Sequence, residues 1–192
     1  MPKEGVSVIH MEDHVTKKLF VDLEASSLSR KSHPIEIAWG SSLDDIESYL
    51  ISPRNIEEWS DWSTDSEEMH GIDRATLMER GAEPSAICSP FIRACQGCEV
   101  YTNNPCWDSM WLYKLFFFSD QDVPSMDVRH FDELLSNTVC PNTEKRVEGL
   151  YACLDLKRKV GKEMRKRHRA ATDVEYLIRV YHLAKDMATT AS

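Results

Sequence analysis

The chain has 192 residues, of which 42% are hydrophobic and 29% charged, with a formal net charge of −9. That length suits one core-forming unit, and no run reaches the roughly 18 apolar residues of a membrane span. The acidic balance excludes a protein that coats long nucleic acid unselectively, because phosphate binding needs clustered Lys and Arg.

In chain order, residues 1–17 read as a polar lead-in without the apolar centre of an export signal, so a cytoplasmic location is expected. Residues 19–25 read as a strand. Residues 33–40 alternate Ile35, Ile37 and Trp39 against Glu36 and Ala38, and residues 45–53 alternate in the same way up to Pro53. Three short strands with short polar links predict an antiparallel meander. Residues 66–81 then read as a turn and a helix stopped by Gly81, and residues 83–97 as a helix ending at Gly97. Residues 98–102 form a fourth strand that turns into a helix over 106–118, with Pro105 near its first position. Residues 122–128 predict a short fifth strand, and 130–138 and 146–160 are expected to be helical. Residues 173–184 close the chain, with Val174, Leu177, Ile178 and Tyr181 at helical spacing. Strands first and α/β alternation afterwards imply a single α/β domain over 18–187, with a mixed five-stranded sheet flanked by helices and a short tail at 188–192.

Charge is unevenly placed. Glu57, Glu58, Asp61, Asp65, Glu67 and Glu68 crowd one segment, while Lys157 to Arg169 form a dense basic one, which suggests local capture of an anion. The six cysteines fit reduced thiols. Cys95 and Cys98 make a C-x-x-C near Cys88 and Cys106, but no second such pair and no His accompany them, so small buried side chains are expected here rather than zinc.

The opening strand carries two acids inside its apolar run, Asp22 and Glu24. Residues i and i+2 of a strand share a face, which sets their Cα atoms roughly 6.6 Å apart. Two carboxylates that close repel unless a cation lies between them; the alternative is a half-exposed strand with both acids in solvent. Asp108 shares a helix face with Trp111, Leu112 and Leu115, and Asp173, read as opening the last helix, aligns with Leu177. Either acid alone suits a helix-dipole or capping role, although Asn104 before Pro105 is the better cap. Together, four oxygen donors leaning toward apolar neighbours suit Mg²⁺ or Mn²⁺. Two such ions support in-line attack on a phosphodiester.

These segments, "FVDLEASSL", "NNPCWDSMWL" and "HRAATD", resemble the three motifs of the DnaQ-like 3′–5′ exonucleases, and more narrowly their DEDDh subclass. "HGID" at 70–73 is similar to a loop segment between the first two motifs. The resemblance spans roughly residues 18–185 and implies a ribonuclease H-like fold. It implies that Asp22, Glu24 and Asp173 hold a catalytic Mg²⁺ or Mn²⁺, with Asp22 bridging to a second ion on which Asp108 acts. His168 becomes the general base, a task suited to an imidazole at neutral pH. The subclass with Tyr four residues before the last Asp is disfavoured, since Arg169 stands there. Ala25, Ser26, Ser27 and Leu28 are expected against the terminal nucleotide, although Ser27 replaces a frequent Gly. His70, Arg165 and Arg169 are expected near the substrate, the two arginines by phosphate attraction. Trp59 and Trp62 are candidates for base stacking, with core packing as the alternative.

The resulting expectation is a metal-dependent exonuclease acting on the 3′ end of single-stranded or short nucleic acid. RNA is favoured over DNA, and the products are nucleoside 5′-monophosphates. The resemblance also admits a homodimer. The rival is a non-catalytic nucleic-acid-binding or regulatory subunit on the same fold, from which the loss of at least one ligand would be expected.

Overall fold

β1 (Lys17–Ala25) is the middle strand of the sheet, and its two faces explain most of the architecture. The computed structural model describes residues 16–141, 146–164 and 168–190. Leu19, Val21, Leu23 and Ala25 point to one side of the sheet. There they pack with Ile37, Trp39 and Val100, and with Phe91, Leu112, Leu115 and Phe116 from two helices. Phe20 points to the other side, where Ala38 and Tyr101 join Val174, Leu177 and Ile178. Alternation therefore assigns Asp22 and Glu24 to the second face, in line with Phe20.

β2 (Pro34–Gly40) runs antiparallel to β1, and β3 (Glu47–Leu50) antiparallel to β2, giving the expected meander. Two short helices follow, α1 (Thr64–His70) and α2 (Arg74–Arg80), then α3 (Pro84–Cys95). The stretch expected as a turn and a single helix is thus two helices. Ser63 accepts from the Ser66 N–H to start α1, Gly71 at φ 68° ends it, and Asp73 caps α2 through the Thr76 N–H.

β4 (Cys98–Thr102) is parallel to β1 and leads into α4 (Pro105–Phe117). Asn104 occupies the position before α4 as expected, but its side chain makes no cap; its carbonyl accepts from the Trp107 and Asp108 N–H groups instead. β5 (Val128–His130) is parallel to β4, and the sheet order is β3-β2-β1-β4-β5. It lies later than the fifth strand expected over 122–128; Pro124 has no N–H for a ladder there. α5 (Phe131–Val139), α6 (Arg146–Glu163) and α7 (Ala170–Thr190) complete the chain. α7 lies across β1 and β2, and α5 and α6 pack on it. α7 begins at Ala170, so Asp173 stands within its first turn rather than opening it. No described helix is long and apolar enough to cross a membrane. The mixed five-stranded sheet between helices is the α/β, ribonuclease H-like architecture expected.

Candidate metal centre and active site

The site forms where β1 and β4 end, the usual place for a crevice in an open α/β sheet. β1 presents Asp22 and Glu24 on the face covered by α7. The first turn of α7 brings Asp173 to the same point. One carboxylate oxygen from each of Asp22, Glu24 and Asp173 lies within 4.8 Å of the others, and all three residues are half-buried. No other group among the described residues gathers acids, His or Cys in this way. In particular, the Cys88–Cys106 cluster forms no such group, and Cys88, Cys95, Cys98 and Cys106 form no disulfide among the described residues.

Asp108 is brought to the same region but lies outside this triplet. It is 3% exposed on α4, and the Thr102 hydroxyl at the end of β4 donates to its Oδ2. Burial pushes its carboxyl up to about 7, against the opposing pull of the Thr102 hydroxyl and of backbone hydrogen bonds at Asn104 and Leu23. Asp22 is held well above the usual carboxylate range by burial, and then by Asp108, Asp173, Glu24 and Glu36. Glu24 is raised to about 8, first by burial, then by Asp173 and Glu36, with Arg169 opposing. Carboxylates crowded into a poorly solvated space resist ionisation unless positive charge is supplied. A hard divalent cation supplies it, and an all-oxygen donor set is the one Mg²⁺ or Mn²⁺ prefers. The residues present therefore fit the metal implied by the sequence.

Loop residues 26–33 rim this site. The Ser26 hydroxyl is buried and accepts from the His33 N–H at 3.0 Å, and its backbone pairs with His33 and Ser63. Ser27 donates to Asp61, and Ser29 donates to the same carboxylate at 3.0 Å. Ala25 is buried at the end of β1, whereas Leu28 is 70% exposed.

His70 is buried at the end of α1. Its Nδ1 accepts from the Ile72 N–H at 3.1 Å, which leaves the proton on Nε2, and among the described residues Nε2 has no hydrogen-bond partner. Burial lowers its pKa, and the charges of Glu36, Glu67, Arg169 and His168 all reach it. His168 is exposed, between α6 and α7.

Other expected residues are placed differently. Trp59 is 2% exposed and stacks on His33 at 5.2 Å, so its ring belongs to the core, the alternative reading for this residue. Trp62 is part-buried, donates from Nε1 to Glu67 at 2.6 Å and carries Arg74 over its ring. The Arg169 guanidinium is taken by Glu36, with Nη2 to Oε1 at 2.6 Å. Arg165 lies outside the described residues.

Three contributors escaped the sequence reading: Glu36, Thr102 and His33. Glu36 did carry a signal, since β2 alternation sets it on the face of Ala38, which is buried. Thr102 and His33 carried none, because their roles depend on contacts across the chain.

The model of the family described as Exonuclease (RNase_T) matches residues 19–181. This chain belongs to that exonuclease family, the DnaQ-like group its motifs resemble. Solved structures agree on the fold of the exonuclease chain. The nuclease domain of 3′hExo, a DEDDh family member bound to rAMP, shares 14% identity with a TM-score of 0.60, covering 93% of this chain and 95% of that one. E. coli Exonuclease I in complex with a dT13 oligonucleotide shares 16% identity with a TM-score of 0.61 over 90% of this chain. Exonuclease I from Methylocaldum szegediense shares 14% identity with a TM-score of 0.57. The exonuclease chain spans 42% of the length of each Exonuclease I chain. A comparison with curated proteins finds no match.

Proposed function

We propose that this chain hydrolyses phosphodiester bonds one at a time from the 3′ end of single-stranded or short nucleic acid. Nucleoside 5′-monophosphates are the products, and RNA is favoured over DNA. The observation that carries this reading is the convergence of Asp22, Glu24 and Asp173 within 4.8 Å inside a member of the exonuclease family. The non-catalytic alternative would be expected to lack at least one acid of the motif set, and Asp22, Glu24, Asp108 and Asp173 are all present. The oligonucleotides and nucleotide bound to the solved relatives support the substrate class.

Asp22, Glu24 and Asp173 would hold one Mg²⁺ or Mn²⁺, and Asp22 with Asp108 would serve a second. Bound there, divalent cations supply positive charge to the scissile phosphate and to the acids that surround it. The chain does the rest. The exposed Leu28 side chain offers an apolar surface to the terminal base. Ser26 and Ser27 fix the loop that carries it. Trp62 gives the rim a half-buried aromatic edge. The oxygen of water forms the new bond to phosphorus while the bond from phosphorus to O3′ of the preceding nucleotide breaks. An imidazole nitrogen of His168 accepts the water proton, and the departing O3′ takes a proton from solvent.

Calorimetric titration with Mn²⁺, combined with rates on matched RNA and DNA oligomers, tests this. Saturable binding that Asp173→Ala weakens by at least tenfold, with RNA cut faster than DNA, is expected. Absence of binding in the native chain contradicts the site, and faster DNA cleavage contradicts the substrate preference. Sedimentation at micromolar concentration decides the homodimer carried over from the resemblance.

A further inference from the structure

Glu36 is the most deeply buried acid of the region at 2% exposure, and Glu24 lies opposite it in the ladder between β1 and β2. An acid there adds negative charge to a face that already carries two, yet it is no ligand. It is not among the acids whose oxygens converge, and its own oxygens are occupied. Arg169 Nε donates to Oε2 at 3.0 Å and to Oε1 at 3.2 Å, and Nη2 donates to Oε1 at 2.6 Å. The backbone N–H of Ala170 donates to Oε2 at 3.0 Å, and the Ser48 hydroxyl approaches Oε1 at 3.4 Å.

These contacts fall on consecutive residues of the functional segment. Arg169 follows His168 directly, and Ala170 is the first residue of α7, whose opening N–H groups need an acceptor. The Asp173 N–H then returns to the Arg169 carbonyl at 3.0 Å. One carboxylate on β2 thus holds the residue after His168 by its side chain, the start of α7 by its backbone, and the turn that carries Asp173 through residue 169.

We propose that Glu36 and Arg169 are a positioning pair that sets His168 and Asp173 against the Asp22–Glu24 doublet, an inference that rests on the exonuclease reading. Arg169 acts on Glu36 rather than on substrate phosphate. The planar guanidinium spans both carboxylate oxygens, which a lysine ammonium cannot do with the same geometry. It also brings positive charge beside Glu24.

The test uses Glu36→Gln, Arg169→Lys and the double variant Glu36→Gln/Arg169→Gln. Each has two readouts, steady-state cleavage of a 5′-labelled oligonucleotide and amide hydrogen exchange of the metal-free chain. Arg169 is part-exposed, so Glu36→Gln leaves it able to hydrate and the fold is expected to survive. Expected is a fall in kcat of roughly 10–100-fold in each single variant with KM little changed, as for other groups that orient ligands. The double variant is expected to be no slower than the worse single one, since a cooperating pair is non-additive. In Glu36→Gln, exchange is expected to quicken at residues 170–173 and to hold steady at 177–180. Native kcat in the single variants overturns the proposal, as does exchange that rises evenly along α7. If the native chain cuts no oligonucleotide, the exonuclease reading fails by itself, while the exchange pattern still decides whether Glu36 anchors this turn.

Discussion

At the scale of single residues, the chain places carboxylates where folding alone disfavours them. Glu24 titrates near 8 rather than 4.5, chiefly because it is buried. A folded pKa above the unfolded one means stability that is present below pH 4.5 and lost as pH rises through about 8. The metal-free protein should therefore melt at a higher temperature at pH 5 than at pH 8.5, and added Mn²⁺ should remove much of the difference. Glu24→Gln should stabilise the metal-free fold at pH 8.5 by an amount of order 3 kcal/mol, while lowering activity by more than about 100-fold. A melting series across pH, read beside a cleavage assay, checks both; a destabilised metal-free Glu24→Gln would contradict the account. His33 has the opposite sign. Burial, with Arg74 next, lowers it from 6.5 to about 4, so its contribution is present above pH 6.5 and lost as pH falls through about 4. His33→Phe keeps a ring against Trp59 and should flatten the acid side of the melting profile.

At the scale of elements, two glycines separate strain from crowding. Gly71 holds φ 68° with open space where a Cβ would stand, so Gly71→Ala should cost about 1 kcal/mol from backbone conformation alone. Gly81 has an ordinary φ, but a Cβ there would lie 2.5 Å from the Leu77 carbonyl oxygen and 2.6 Å from the Ser52 nitrogen. Both contacts are backbone, where α2 meets the bridge between Ile51 and Ala82, so Gly81→Ala should be the more destabilising in a denaturant melt. The sequence showed Gly81 as a helix stop but could not show why only glycine fits. What was legible followed local periodicity: β1, β2, β4 and α4 stand close to where alternation and the Pro105 signal set them. What was not legible came from contacts distant in sequence. α7 starts at Ala170 because Glu36 on a remote strand caps it, and α1 exists because Ser63 and Gly71 close a short turn that carries little apolar periodicity of its own. The acids Asp22, Glu24, Asp108 and Asp173 were legible because each interrupts an apolar face, whereas Glu36 read as the polar side of an alternating strand. Trp59 could be read both ways, and only its stacking on His33 resolves it.

At the scale of the whole molecule, the proposed function asks an acidic protein to bring a polyanion to an acidic centre. The charge map offers one route, since the exposed Arg158, Lys159 and Lys162 lie on α6, the helix that leads toward His168, while the acids of 57–68 occupy the other side of the sequence around α1. Binding of a short oligonucleotide should then weaken as salt rises, with a modest slope that reflects few phosphate contacts. Neutralising Arg158 and Lys159 together should raise KM and reduce that slope, with kcat little changed.

The central claim is that Asp22, Glu24 and Asp173 form a metal-dependent centre for removing nucleotides from a 3′ end. The most direct measurement is a time course on a 5′-labelled single-stranded oligonucleotide with Mn²⁺ or Mg²⁺, run beside a chelated control and Asp22→Asn. A ladder that shortens one nucleotide at a time, absent from both controls, is the predicted result. An uncut oligonucleotide, internal cleavage, release of the 5′ label as a mononucleotide from the outset, or full activity in Asp22→Asn would contradict it.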